Sequence, residues 1–225
     1  MAYLHHTSSV QADFDRIALL SPTGWDHNSH YHPFLIKHIP PHCTATLDIG
    51  CGTGAFTRLL AQRSGQVLSL DLSPNMIRVA KQQSSHYANI DFQTADAITY
   101  DLPSNHFECI ASIATLHHLP METMLSKMKQ ALKKNGVIVI LDLFETRGSV
   151  DFLGSVLSFP ASKILKLIKT GQLREPGEVR DAWARHGNND QYLSLPEIRR
   201  VCATILPGAN IKKHLLWRYS IIWKK

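Results

Sequence analysis

An aspartate, three closely spaced glycines and a second aspartate further along are the residues of this 225-residue chain best suited to chemistry. Leu47-Asp48-Ile49-Gly50-Cys51-Gly52-Thr53-Gly54 reads as a buried strand running into a turn whose glycines let backbone approach a ligand closely. Gly50, Gly52 and Ala55 also fit a dinucleotide-binding turn, with Asp71 about 20 residues beyond it, so the glycines alone do not choose the ligand. Asp48 argues against a pyrophosphate. A carboxylate in the strand just before the turn repels two phosphate charges across a short, poorly solvated gap. It favours a ligand with an ammonium and a sulfonium, and an acid in an otherwise apolar strand end needs some such partner.

Two further acids follow the same pattern. Val67-Leu68-Ser69-Leu70-Asp71 is an apolar run of the kind buried on both faces of a parallel sheet, and its terminal acid can accept hydrogen bonds from both hydroxyls of a ribose. Ser73-Pro74 then starts a helix, with a hydroxyl cap and a proline at the first helical position. Leu72 and Met76 are placed to flank an adenine. A third strand near Ile90 to Phe92 leads into Asp96-Ala97, where the carboxylate can accept an adenine amino group. S-adenosylmethionine carries all of these groups.

The stretches Leu47 to Gly54, Leu70 to Met76, Ala95 to Asp96, Phe107 to Leu119 and Leu132 to Leu143 together resemble the class I S-adenosylmethionine-dependent methyltransferases of small-molecule type. The resemblance implies a Rossmann-like three-layer α/β sandwich. Its seven-stranded sheet has the order 3-2-1-4-5-7-6, mostly parallel with the last strand antiparallel. It further implies that Asp48, Gly50, Cys51, Gly52 and Gly54 hold the cofactor's amino acid moiety, Asp71 with Leu72 and Met76 the ribose and adenine side, and Asp96 with Ala97 the adenine. Ser112 and Ile113, in Phe107 to Leu119, fall where the family's fourth strand and following loop pass the transferable methyl. An N-terminal segment folding over the cofactor would offer Tyr31 or His30.

Methyl transfer is an in-line displacement at a carbon already activated by the sulfonium, so the protein chiefly aligns the partners and excludes water. An amine or carbanion acceptor needs no protein base. A hydroxyl acceptor benefits from one, and His117, just after the fourth strand, is the candidate. His118 beside it has an ordinary reading as an exposed or backbone-bonded residue.

Around these residues the chain divides into an N-terminal helical cap (1–42), a cofactor-binding core (43–143), a helical insertion or lid (144–193) and a helix with a hairpin that completes the sheet (194–225), all in one domain. The helix before the fifth strand is expected to end within Lys133-Lys134-Asn135-Gly136, and the strand to run from Gly136 to Leu141. In the insertion, Asp151 to Thr170 is amphipathic around Pro160, with its apolar face expected to pack on the domain. A second helix spans Gly177 to Arg185 before a turn at Gly187-Asn188-Asn189-Asp190. Ser194-Leu195-Pro196-Glu197 reads as a capping box, and Ile211 to Trp217 with Tyr219 to Trp223 as the closing hairpin.

Composition narrows the function classes. Residues 1–146 hold 10 Lys+Arg against 12 Asp+Glu, and residues 147–225 hold 14 against 6, so the positive charge lies on the acceptor side. Without a dense basic run or interleaved aromatics this reads as solvated helix faces, not as a nucleic-acid surface. Cys43, Cys51, Cys109 and Cys202 lack C-x-x-C spacing and read as reduced apolar fillers, and the seven histidines among the first 42 residues show no metal-binding spacing. No leader or spanning run is evident, which points to a cytoplasmic protein with at most a peripheral membrane contact. The sequence thus predicts methyl transfer from S-adenosylmethionine to an oxygen, nitrogen or carbon nucleophile of a small molecule, leaving S-adenosylhomocysteine. The alternatives are an RNA or protein methyltransferase, disfavoured for base nitrogens by Ser112-Ile113-Ala114-Thr115 after strand four, and a non-catalytic cofactor-binding module.

Overall fold

The computed structural model describes residues 2–20, 27–145, 158, 160, 162–164, 166–168, 171, 177–187 and 192–225. Seven strands form one sheet: β1 (Cys43–Ile49), β2 (Ser64–Asp71), β3 (Ile90–Thr94), β4 (Phe107–Ile113), β5 (Leu132–Leu143), β6 (Asn210–Lys213) and β7 (Arg218–Lys224). Their order is β3-β2-β1-β4-β5-β7-β6, with β1 to β5 parallel and β7 antiparallel to both neighbours. The expected order and the antiparallel closing strand are both present.

The central strands are buried along most of their length because both sheet faces are covered. Leu47, Ile49, Ile110, Ile138 and Ile140 pack on one face with Met124, Leu125 and Met128 of α5 (Met121–Ala131) and Ile198 and Cys202 of α7 (Leu195–Ile205). Cys109, Ala111, Val137, Val139 and Leu141 pack on the other with Leu35 of α2 (His32–Ile36) and Phe56 and Leu60 of α3 (Ala55–Ala61). All four cysteines are buried, as expected of apolar fillers.

Three boundaries differ from the sequence reading. The helix before β5 stops at Ala131, because fully buried Leu132 leaves the helical conformation and pairs with Phe107. The register then shifts so that Val137 meets Cys109, with Asn135 at positive φ between them. β6 ends at Lys213, four residues early: Leu216 and Trp217 take positive φ, and Leu216 is buried at 1 % exposure, so the hairpin closes through a wide turn. The helix α6 (Gly177–Gly187) is two residues longer than expected. The turn expected at Gly187-Asn188-Asn189-Asp190 lies mostly outside the described residues, as does much of the insertion.

The N-terminal α1 (Ala2–Leu20) lies against α4 (Pro74–Gln83) and α6. Ile17 and Ala18 pack on Met76 and Ala182 there, while Asp15 Oδ1 accepts the Ser73 hydroxyl at 2.5 Å and the Asn75 backbone N–H at 3.1 Å. A carboxylate at the start of α4 meets unpaired N–H groups and the positive end of the helix dipole. Ser73 itself caps α4, its Oγ accepting the Met76 N–H at 3.0 Å.

The capping box at Ser194 is formed, with the Ser194 N–H donating to the Glu197 carboxylate at 2.8 Å. Glu197→Ala removes that acceptor and should cost about 1 kcal/mol. The matching fall in melting temperature, about 2–4 °C by calorimetry, is the check.

Candidate active site

The turn after β1 is held from two sides. The N–H groups of Gly50 and Cys51 both donate to the Leu70 carbonyl, at 2.8 and 3.0 Å, which ties the turn to β2. The Gly52 N–H donates to Asp71 Oδ2 at 2.8 Å, and the Ser73 N–H to Asp71 Oδ1 at 2.9 Å. Gly50 has φ +70°, and a methyl group there would lie 2.0 Å from Thr115 Oγ1. Only glycine lets the turn and the loop after β4 touch. Gly52 has φ +53°, but a methyl group there would meet nothing within 4 Å, so its backbone borders open space. That is the geometry required where a ligand lies against main chain.

The expected acids occupy the carboxyl-terminal edge of the sheet. Asp48 is 2 % exposed and accepts the Thr57 hydroxyl of α3 at 2.6 Å. Burial raises its pKa to about 7, with the Thr57 bond opposing and Asp71 adding to the rise. Asp71 is raised to about 6, chiefly by desolvation and slightly by Asp15, against the lowering effect of its two backbone donors. Asp96 is half-buried, its Oδ1 accepting the Ile98 N–H at 2.8 Å, and Ala97 is buried beside it.

The loop after β4 brings His117 to the same edge and pairs it with a residue the sequence reading had passed over. His117 Nδ1 lies 2.6 Å from Asp142 Oδ1, and the His117 backbone N–H donates to Asp142 Oδ2 at 2.8 Å. Asp142, at the end of β5, is fully buried, and it also accepts the Leu143 N–H at 2.8 Å. The signal was available, since an acid closing an otherwise apolar strand is what singled out Asp48 and Asp71. Above the pair the rings gather: His118 stands 3.9 Å from His117 between centroids, His186 of α6 5.0 Å from His118, and Phe14 of α1 4.6 Å from His186. Tyr192 stands 5.1 Å from His117, and Trp183 6.3 Å from Phe14. His186 Nδ1 meets Asp13 Oδ2 at 3.5 Å, joining α6 to α1.

The remaining expected residues divide. Ser112 is buried and donates to the Ile49 carbonyl at 3.1 Å, locking β4 to β1, and Ile113 ends β4 half-buried. Leu72 is half-buried next to Asp71. Met76, expected to flank an adenine, is buried under Ile17, Ala18 and Ala182, because α1 covers that side of α4. Tyr31, expected in the segment that folds over the cofactor, donates its hydroxyl to the Leu215 carbonyl at 2.7 Å and packs with Leu35 and Leu216. His30 is exposed at its side. Among the described residues no group of three or more potential ligands could hold a metal ion. The groove between α7 and β6, lined by Arg199, Cys202 and Leu206, offers no acid or imidazole and is not part of this site.

The sheet order, the glycine turn and the acids that end its strands are those of the class I S-adenosylmethionine-dependent methyltransferases, and comparison with known proteins supports that class for this chain. Residues 47–140 match the family's Methyltransferase domain. A methyltransferase of Mycobacterium tuberculosis, named only as uncharacterized, is 27 % identical over 201 residues, spanning 89 % of this chain and 96 % of that one. The ubiquinone biosynthesis O-methyltransferase of Xylella fastidiosa is 24 % identical over 194 residues, 78 % of this chain and 77 % of that protein. Among solved structures, the N-methyltransferase NodS of Bradyrhizobium japonicum in complex with S-adenosylhomocysteine shares the fold, with a TM-score of 0.61 at 15 % identity over 98 % of both chains.

Asp48 sets a pH dependence. Its folded pKa of about 7 lies above the ordinary 3.8, so the native state holds this proton more tightly than the unfolded chain does. The resulting stability is present below the unfolded value and is lost as pH rises toward 7. Asp48→Asn removes the effect, so its melting temperature should gain on the wild type between about pH 4 and pH 7 and the difference should level off above that. A difference independent of pH, measured on the ligand-free protein, would contradict the assignment.

Proposed function

We propose that this methyltransferase acts on a hydroxyl group of a small, ring-bearing molecule, with His117 as general base and Asp142 as the residue that positions it. The observation that carries this reading is the two-point hold of Asp142 on His117. A carboxylate can only accept at these sites, so Nδ1 carries the hydrogen toward Asp142 and the basic lone pair lies on Nε2. Because the same carboxylate also takes the backbone N–H, the imidazole is fixed in tautomer and in direction. The charge that His117 gains on taking a proton is then met by a buried acid 2.6 Å away.

The residues of the glycine turn fit the expected cofactor. Gly52 borders open space at its α-carbon, and Asp71 keeps acceptor capacity beyond the Gly52 and Ser73 bonds. In this reading Asp48, Gly50, Cys51, Gly52 and Gly54 hold the amino acid end, Asp71 takes the ribose hydroxyls, and Asp96 with Ala97 meets the adenine. When bound, the cofactor supplies a methyl group made electrophilic by its sulfonium. Asp48, which burial holds near neutrality, is driven to its charged form by an ammonium group, so a cationic ligand should release a proton. Thr115 reaches the turn directly, its Oγ1 donating to the Gly50 carbonyl at 3.3 Å, so His117 is two residues from the main chain that would carry the cofactor.

The acceptor class follows from what covers the base. His118 and Tyr192 contact the His117 ring, and Phe14, Trp183 and His186 pack around His118 in turn, an aromatic surrounding that suits a ring-bearing acceptor. The Xylella fastidiosa relative is named an O-methyltransferase, in keeping with an oxygen nucleophile. A large RNA or protein acceptor fits less well under α1 and α6.

His117→Ala should lower kcat toward a phenolic acceptor by about 100-fold or more while leaving the S-adenosylhomocysteine dissociation constant unchanged. Asp142→Asn should do the same, since the imidazole loses the carboxylate that fixes its tautomer and direction. The check is single-turnover transfer of labelled methyl groups to a panel of small phenols and hydroquinols. Full activity of both variants on an accepted substrate would return the pair to a structural role.

A further inference from the structure

The start of α4 is held by two carboxylates that belong to different parts of the molecule. Ser73 gives its N–H to Asp71 Oδ1 at 2.9 Å and its hydroxyl to Asp15 Oδ1 of α1 at 2.5 Å, while its Oγ accepts the Met76 N–H at 3.0 Å. Asn75 adds its backbone N–H to Asp15 Oδ1 at 3.1 Å and its side-chain amide to the Asp15 carbonyl at 3.4 Å. The like charge of Asp15 is the smallest influence on the Asp71 pKa, since the donors at the helix start take up much of it. The two residues before Asp15 reach the other side of the site. Phe14 packs edge-on against His118 and His186, at 5.6 and 4.6 Å between centroids, and Asp13 Oδ2 lies 3.5 Å from His186 Nδ1. Three consecutive residues of α1 thus connect the acid that ends β2 with the rings around His117. The helix α6 rests on α1 as well, with Ala182 against Ile17 and Ala18.

We infer that Asp15 is a positioning residue for methyl transfer, which ties the cover beside His117 to the cofactor's ribose acid, so that cofactor binding assembles the acceptor side. The inference rests on Asp71 taking the ribose and on His117 acting as base. Asp71 can present its remaining acceptor capacity to two hydroxyls only while the Gly52 and Ser73 N–H groups that orient it stay in place, and Asp15 fixes Ser73. Conversely, a ligand that orders Asp71 orders Ser73, and with it the hydroxyl on which α1 is seated. Linkage makes the two effects equal: what a seated α1 adds to cofactor affinity, the cofactor adds to the seating of α1. An acceptor arriving after the cofactor then meets a wall of Phe14, His118 and His186 already assembled.

Hydrogen exchange of the full chain, read by mass spectrometry with and without saturating S-adenosylhomocysteine, tests this without an acceptor. In the wild type the ligand should slow exchange about tenfold in α1 and, through α1, in α6. Asp15→Ala should lose that response at saturating ligand and bind S-adenosylhomocysteine about fivefold or more weakly by calorimetry. Asp15→Asn, which keeps an acceptor oxygen for Ser73 and Asn75, should recover most of the affinity and of the response. Equal slowing of α1 in wild type and Asp15→Ala would overturn the proposal, since the ligand would then act on α1 without Asp15. So would an unchanged dissociation constant in Asp15→Ala, or a wild-type response confined to α1. Failure of the wild type to bind S-adenosylhomocysteine at all would overturn the cofactor assignment, and the proposal with it.

Discussion

The carboxylate of Asp71 organises the carboxyl-terminal edge of the sheet. One oxygen holds the Gly52 N–H and the other the Ser73 N–H, so a single side chain fixes the glycine turn after β1 and the start of α4. Asp15 of α1 adds a second carboxylate at the same helix start, through Ser73 and Asn75. Backbone donors aimed at one point are costly to leave unpaired, and a buried acid is costly to ionise without them. Each need is met by the other, and the cover formed by α1 is seated on the result.

Four acids at this edge play different parts because their surroundings differ. Asp48 has one hydroxyl donor and is buried, so its pKa is raised to about 7. Asp71 has two backbone donors and is raised less. Asp96 is half-buried, and its carboxylate takes a nearby N–H in the turn that follows β3. Asp142 is saturated by the His117 backbone, the His117 ring and the Leu143 N–H, an arrangement that orients an imidazole. In the function proposed, a proton arriving at His117 would be met by a carboxylate already in place, whereas Asp48 would first give up its own proton to a bound cation.

Much of this was legible in sequence because it is local. An apolar run ending in an acid and followed by glycines specifies a strand, a turn and a carboxylate within ten residues, and Ser73-Pro74 and Ser194 to Glu197 specify their helix starts by the same short-range chemistry. What escaped depends on residues distant in the chain. The pairing of Asp142 with His117 requires β4 and β5 to be neighbours in the right register. Tyr31 meets the Leu215 carbonyl only because the N-terminal segment lies on the closing hairpin, and Met76 is covered only because α1 crosses α4. The early start of β5 reflects the burial of Leu132 against Phe107, which outweighs the helix-forming residues after it.

The most direct test of the central claim is calorimetric titration of the protein and of Asp71→Ala with S-adenosylhomocysteine and with NAD. Binding of S-adenosylhomocysteine at micromolar dissociation constant, absent in the variant and absent for NAD, is the result predicted for a site organised by Asp71. Equal affinity in wild type and variant, or binding of NAD alone, would contradict it.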